Sequence, residues 1–137
     1  MKYKRLKDLR EDHDITQTEL SRIGTSVLGQ PIWALSFGAA AETAKTRVLV
    51  QAGMHGREWI NVQIAMAQIE DYLGQERYAA LLRETALVFV PMCNPDGVRI
   101  AQEGADWIED EAACADVQRW IDESGEPYEQ WKANGRG

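Results

Sequence analysis

Residues 47–59 read Arg-Val-Leu-Val-Gln-Ala-Gly-Met-His-Gly-Arg-Glu-Trp, and the fold is decided in this stretch. Arg47-Val48-Leu49-Val50 is a short apolar run with β-branched residues, the pattern of a strand buried on both faces. Gly53 and Gly56 follow, and glycine lets a chain turn sharply and pass close to its neighbours. Beyond them the period becomes helical. Val62, Ala65, Met66, Ile69 and Leu73 fall on one apolar stripe, and Gly74 sits where a helix stop belongs. Open α/β sheets bind their ligands at such a junction, outside the C-terminal end of a strand.

The pattern extends in both directions. Residues 75–83 read as a second, shorter helix, and residues 86–90 as another buried strand closed by Pro91. Upstream, the strand-like runs 18–26 and 31–37 are separated by Leu28-Gly29-Gln30-Pro31, which predicts a β-hairpin. Residues 38–45 suit a connecting loop. Residues 2–12 place Tyr3, Leu6 and Leu9 at helical spacing, so the first 14 residues are expected to hold a short amphipathic helix. Asn94-Pro95-Asp96-Gly97 reads as a turn with Gly97 at the strained position and Asp96 in a structural part. Residues 101–130 show no clean period and predict loop and short helix. Their acidic residues are expected on a solvated face, and Trp107, Trp120 and Trp131 in packing. The fold class is therefore α/β, a partial mixed sheet flanked by helices. No repeat or linker divides the chain, which predicts a single domain over residues 1–137.

Composition excludes several functions. The 137 residues carry 15 Lys and Arg against 22 Asp and Glu, a net charge of −7. That charge speaks against nucleic-acid partners and against an anionic membrane surface. No apolar run is long enough to span a bilayer. The basic N-terminus has no apolar segment after it, unlike a secretory signal. Cys93 and Cys114 are too few for a disulfide framework, so they read as reduced thiols and the expected location is cytoplasmic.

The chemistry concentrates at His55 and Glu58. Residues three apart share one face of a helix, so an imidazole nitrogen and a carboxylate oxygen can both reach one zinc ion at about 2.0–2.2 Å. His13, the other histidine, stands between Asp12 and Asp14 and reads as a solvated surface residue.

Three segments then carry a resemblance. Gly53-Met54-His55-Gly56-Arg57-Glu58-Trp59 is similar to the Gly-x-His-x-Arg-Glu-Trp segment of the zinc carboxypeptidases, the funnel-type metallocarboxypeptidases. Phe89-Val90-Pro91-Met92-Cys93-Asn94-Pro95-Asp96-Gly97 resembles the family's strand ending in Pro-x-x-Asn-Pro-Asp-Gly. Trp131-Lys132-Ala133-Asn134-Gly135-Arg136-Gly137 resembles the approach to a third signature, which continues Val-Asp-Leu-Asn-Arg-Asn in the family. The resemblance covers residues 18–137. The Trp-Lys-Ala-Asn wording is similar to the bacterial branch that cleaves γ-D-glutamyl–diamino acid bonds of peptidoglycan stem peptides.

The resemblance implies a zinc peptidase with His55 and Glu58 as metal ligands. It implies that Arg57 contacts substrate or supports the ligand loop. It also implies that Lys132, where the digestive branch has an Arg, acts as a catalytic cation on the scissile carbonyl. The family's third ligand, a His, lies downstream of the third signature, and its catalytic Glu and a substrate-facing Tyr lie further on. The expectation is therefore the N-terminal half of a metallopeptidase domain, inactive alone, with weak zinc binding and a tendency to self-associate or to pair with the other half. Two alternatives remain open here. One is a zinc deacylase of N-acyl amino acids, which shares His-x-x-Glu but usually has Asn or Asp where Arg57 stands. The other is a non-catalytic remnant or binding domain of the same fold.

Overall fold

A computed structural model describes residues 18–135. The expected N-terminal helix and His13 lie outside these residues. Four strands form one mixed sheet in the order β1-β2-β4-β3, with β1 Glu19–Thr25, β2 Pro31–Gly38, β3 Thr46–Gln51 and β4 Thr85–Val90. β1 and β2 make the expected antiparallel hairpin, with a bulge between Arg22 and Gly24. β2 runs antiparallel to β4, and β3 runs parallel to β4. A parallel pair needs a crossover, and helix α1, Ile60–Gly74, supplies it. A 3-10 turn at Glu76–Tyr78 and a single helical turn, α2 at Ala79–Leu82, return the chain to β4 in place of one short helix.

The core lies where α1 packs on the two central strands. Leu35 and Phe37 of β2, Leu87 and Phe89 of β4, and Ala65 and Ile69 of α1 form one buried cluster. Val62, Ala65 and Ile69 of the predicted stripe are buried, and Met66 and Leu73 pack partly against the cluster. Phe37 stacks on Phe89 at 5.6 Å between ring centroids. The apolar run of β4 is buried on both faces as its composition predicts.

β3 departs from its expectation. Leu49 is 59% exposed, and Arg47 and Val48 are also exposed. Among the described residues β3 pairs only with β4, so it is an edge strand, and only Val50 packs against the core cluster. An apolar run reports that a strand suits burial; its place in the sheet decides whether burial is supplied.

Two more helices stand where a turn and a mixture of loop and short helix are expected. Asn94-Pro95-Asp96-Gly97 does not close a strained turn but opens helix α3, Pro95–Glu103. Asn94 is its N-cap, Pro95 takes the first-turn position where a missing N–H costs nothing, and Asp96 follows in the first turn. Helix α4, Glu111–Ser124, is capped by the Asp110 carboxylate, which accepts from Ala113 N–H at 2.8 Å. It ends at Gly125 in the left-handed conformation. Ile100, Ala105, Ile108 and Val117 form a second buried cluster, with Trp107, Trp120 and Trp131 packed against it as expected of those tryptophans. No helix among the described residues is long and apolar enough to cross a membrane.

Candidate metal centre

β3 and β4 are parallel, so the segments that follow them leave the sheet at the same end. They stay joined there. Ala52 N–H donates to Val90 O at 3.0 Å, Cys93 N–H to Ala52 O at 2.9 Å and Asn94 N–H to Gly53 O at 2.9 Å. Gly53 adopts φ +61, and a Cβ there would sit 2.8 Å from Val62 Cγ2. A side chain is therefore excluded both by conformation and by contact.

His55 is extended and forms the N-terminal boundary of a 3-10 turn, Gly56–Glu58, closed by Glu58 N–H donating to His55 O at 3.1 Å. This single tight turn brings the two side chains together. His55 Nδ1 lies 3.1 Å from Glu58 Oε2, and the side chains are 52% and 41% exposed. The pair is thus pre-formed and accessible. His55 stands between two hollows. One, of about 310 Å³, lies between the end of β3 and α1 and is lined by His55 and Glu58 together with Asn61 and Gln68. The other, of about 480 Å³, is lined by His55, Lys132, Asn94 and Asp96 and by Val27 and Ile32 of the β1–β2 hairpin.

The three resembling segments meet at this place. A Cβ on Gly56 would lie 2.2 Å from Gly97 O and 2.7 Å from Trp131 O, so the turn carrying Glu58 presses directly on α3 and on the 131–133 strap. Gly56 N–H donates to Lys132 O at 3.2 Å and Arg57 N–H to Trp131 O at 2.7 Å. Asn94 ties all three. Its amide nitrogen donates to Met54 O and to Ala133 O, 3.0 Å each, and its side-chain oxygen accepts from Gly97 N–H at 2.9 Å. Every hydrogen-bonding direction of that side chain but one acceptor lone pair is used.

Asp96 is fully buried. Its carboxylate accepts from Ser26 Oγ at 2.6 Å and from Leu28 N–H at 2.9 Å, which pins the hairpin turn to the start of α3. A buried carboxylate is retained only where such donors replace water. Asn94 and Asp96 are site-building residues that their reading as a turn conceals. The helix-start signal was nonetheless present, since Asn-Pro-Asp is as good an N-cap and first turn as it is a β-turn.

The structure brings Lys132 onto a wall shared with His55, and Lys132 makes no ion pair among the described residues. It sets Arg57 elsewhere. The guanidinium donates to Gln130 Oε1 at 3.0 Å and lines neither of the two hollows at His55. Burial pushes the Cys93 thiol up from its ordinary value, which disfavours the reactive thiolate. A larger hollow, of about 600 Å³, lies on the far side of the strap among Trp120, Tyr128 and Trp131, and it shares Lys132. Among the described residues no three His, Cys, Asp or Glu side chains stand close enough to hold a metal together.

The fold and the sequence have counterparts. A family model described as zinc carboxypeptidase matches residues 3–129. The γ-D-glutamyl-L-diamino acid endopeptidase 1 of Lysinibacillus sphaericus is 32% identical over 124 residues, covering 84% of this chain and 30% of that protein. The inactive metallocarboxypeptidase ECM14 of Paracoccidioides brasiliensis is 35% identical over 89 residues, covering 60% of this chain and 15% of that protein. Among solved structures, carboxypeptidase A from Helicoverpa armigera superposes with a TM-score of 0.64 at 19% identity, over 75% of this chain and 25% of that one. The chain thus spans less than a third of each of these relatives.

Proposed function

The chain belongs to the zinc carboxypeptidase family, and we propose that it carries the first two metal ligands and the carbonyl-facing cation of a zinc peptidase. The observation that supports this is the approach of His55 Nδ1 to Glu58 Oε2, 3.1 Å, at the joined ends of two parallel strands.

The donor set fits zinc. Two donors about 2.0–2.2 Å from one tetrahedral zinc stand about 3.3–3.6 Å apart, and this pair needs to open by only a few tenths of an ångström. Imidazole nitrogen and carboxylate oxygen are ligands of the kind found in catalytic zinc sites. When bound, zinc acts as a Lewis acid on a carbonyl and lowers the pKa of a water. The chain's own residues do the rest. His55 and Glu58 hold the ion, and the Asn94 side chain, Gly53 and Gly56 fix the turn that presents them. Lys132 offers positive charge to the oxygen of the scissile carbonyl, as a point charge with three donors rather than a flat fork. Arg57 keeps donors beyond the one spent on Gln130 and offers them to substrate at the rim.

The family's third ligand, a His downstream of the third signature, is not among residues 18–135, so these residues alone hold zinc weakly and turn over no peptide. The substrate class is a peptide with a γ-D-glutamyl–diamino acid bond. The support is the 32% identity to the Lysinibacillus endopeptidase, whose share of this chain is larger than that of the fungal relative. Arg57 and Trp59 favour a peptidase over an N-acyl amino acid deacylase. A second reading, a non-catalytic member of the fold, is favoured by the similarity to the inactive fungal relative. The exposed outer edge of β3 is assigned to pairing with a further strand, from a second copy or from polypeptide outside this sequence.

The test is hydrolysis of a γ-D-glutamyl–diaminopimelate peptide by the full-length protein. Chelator-sensitive cleavage that is lost in His55→Ala and in Glu58→Gln is expected. Cleavage that survives either change contradicts the assignment, and absence of cleavage by zinc-loaded full-length protein selects the non-catalytic reading.

A further inference from the structure

We infer that Lys132 is a specificity-determining residue that binds the free α-carboxylate of a γ-linked glutamyl residue beside the scissile bond. The inference rests on the proposed γ-glutamyl substrate class and goes further by assigning one residue to one substrate group.

The chemistry of that linkage sets the requirement. A glutamyl residue joined through its side-chain carbonyl keeps its α-carboxyl group free and ionised. That anion lies four bonds from the carbonyl to be cleaved, where an α-linked residue without an acidic side chain places no charge. A site selective for the γ-linkage therefore needs a cation next to the cation-binding pair but separate from it.

Among the described residues Lys132 meets the requirement, and Arg57, the cation of the ligand turn, does not. Its carbonyl accepts from Gly56 N–H, so its backbone lies against the residue that follows His55. Its side chain is exposed and lines the same 480 Å³ hollow as His55. It has no carboxylate partner among the described residues. Arg57 is engaged with Gln130 and does not line that hollow. The one carboxylate on the wall, Asp96, is fully buried and accepts from Ser26 and Leu28 N–H, so it does not compete for the ammonium. Val27, Ile32 and Met54 give the same hollow an apolar lining that suits the methylene stem of the same glutamyl residue. Lysine also suits the task. An ammonium has three rotatable donors and can serve the carboxylate and the nearby carbonyl oxygen together, whereas a guanidinium fork commits to one planar partner. In a chain of net charge −7, one unpaired cation at the mouth also steers an anionic substrate toward the hollow.

The experiment is an NMR titration of this chain with three peptides of one sequence, L-Ala-D-Glu-L-Lys. The first is γ-linked with a free α-carboxylate, the second is γ-linked with that group amidated, and the third is α-linked with its side-chain carboxyl amidated. The expected result is about fivefold tighter binding of the free carboxylate than of the amide, shrinking as salt is raised, because an exposed pair of this kind is worth little more. Lys132→Met removes the preference and Lys132→Arg keeps part of it. Equal binding of the free and amidated γ-peptides, or a preference that survives Lys132→Met, overturns the inference while leaving the γ-glutamyl reading in place. Equal binding of the γ- and α-linked peptides, or no binding of any, overturns both. The side chain of Lys132 is exposed, so both variants are expected to keep the circular dichroism of the parent.

Discussion

β3 and β4 are parallel neighbours with similar composition and opposite fates. β4 has a strand on each side and a helix over it, and Phe89 is 0% exposed. Among the described residues β3 has one neighbour, and it shows Val48 and Leu49 to solvent. One strand therefore carries stability, while the other carries an edge and the loop that presents His55. The difference teaches that here the buried core and the proposed metal ligands are divided between adjacent strands and rejoined through the bonds from Ala52 to Val90 and from Cys93 to Ala52.

That division can be broken by mutation. Phe89→Ala should cost about 3–5 kcal/mol of unfolding free energy, because it leaves a cavity beside Phe37 and Ile69. Leu49→Ala on the neighbouring strand should cost less than about 1 kcal/mol, since that side chain is mostly in water. Urea unfolding of the two variants measures the contrast, and equal losses would end it. Asn94→Ala comes next. It removes one acceptor and two donors that join Met54, Gly97 and Ala133, at about 1 kcal/mol for each bond, so a loss of about 2–3 kcal/mol is expected. Asn94→Asp keeps the helix cap but abolishes both donors, so it should recover only part of that loss.

His55→Ala should change stability by no more than about 0.5 kcal/mol, because the ring is half in solvent and packs no core. Leu49→Lys should also leave stability nearly unchanged while lowering any self-association seen by light scattering, since a charge on an edge strand opposes pairing. The smallest effect is electrostatic. The Tyr78 hydroxyl donates to Asp71 at 2.7 Å, and Arg77 lies 3.1 Å from the same carboxylate. These contacts hold the Asp71 carboxyl below its ordinary value. A depressed carboxyl pKa contributes stability that is present above the unfolded value of 3.8 and is lost as pH falls through the folded one. Acid unfolding of Asp71→Asn should show a slightly shallower loss below pH 3.8 than the parent.

Much of this was legible in residues 47–59 and in the apolar stripe that follows. Local rules act there without competition: glycine permits the turn, a spacing of three aims two side chains together, and one helix face meets the sheet. The burial of β3 was not legible, because an apolar run does not record how many neighbours a strand has. Helix α3 was hidden because Asn-Pro-Asp-Gly satisfies turn chemistry and helix-start chemistry equally, and the contacts of Asn94 with Met54 and Ala133 decide between them. Helix α4 was hidden because its apolar face is narrow, with Val117 its only fully buried residue. Long-range closure, as in the contact of Gly56 with Gly97, has no local signature beyond the glycines themselves.

The most direct test of the account is a zinc titration of this chain followed by the ring nitrogens of His55, in the parent and in Glu58→Gln. The account predicts that zinc moves the His55 resonances and that Glu58→Gln weakens the effect at least about tenfold, because one ion is shared by both side chains. His55 resonances that ignore zinc, or that respond identically in Glu58→Gln, would contradict it.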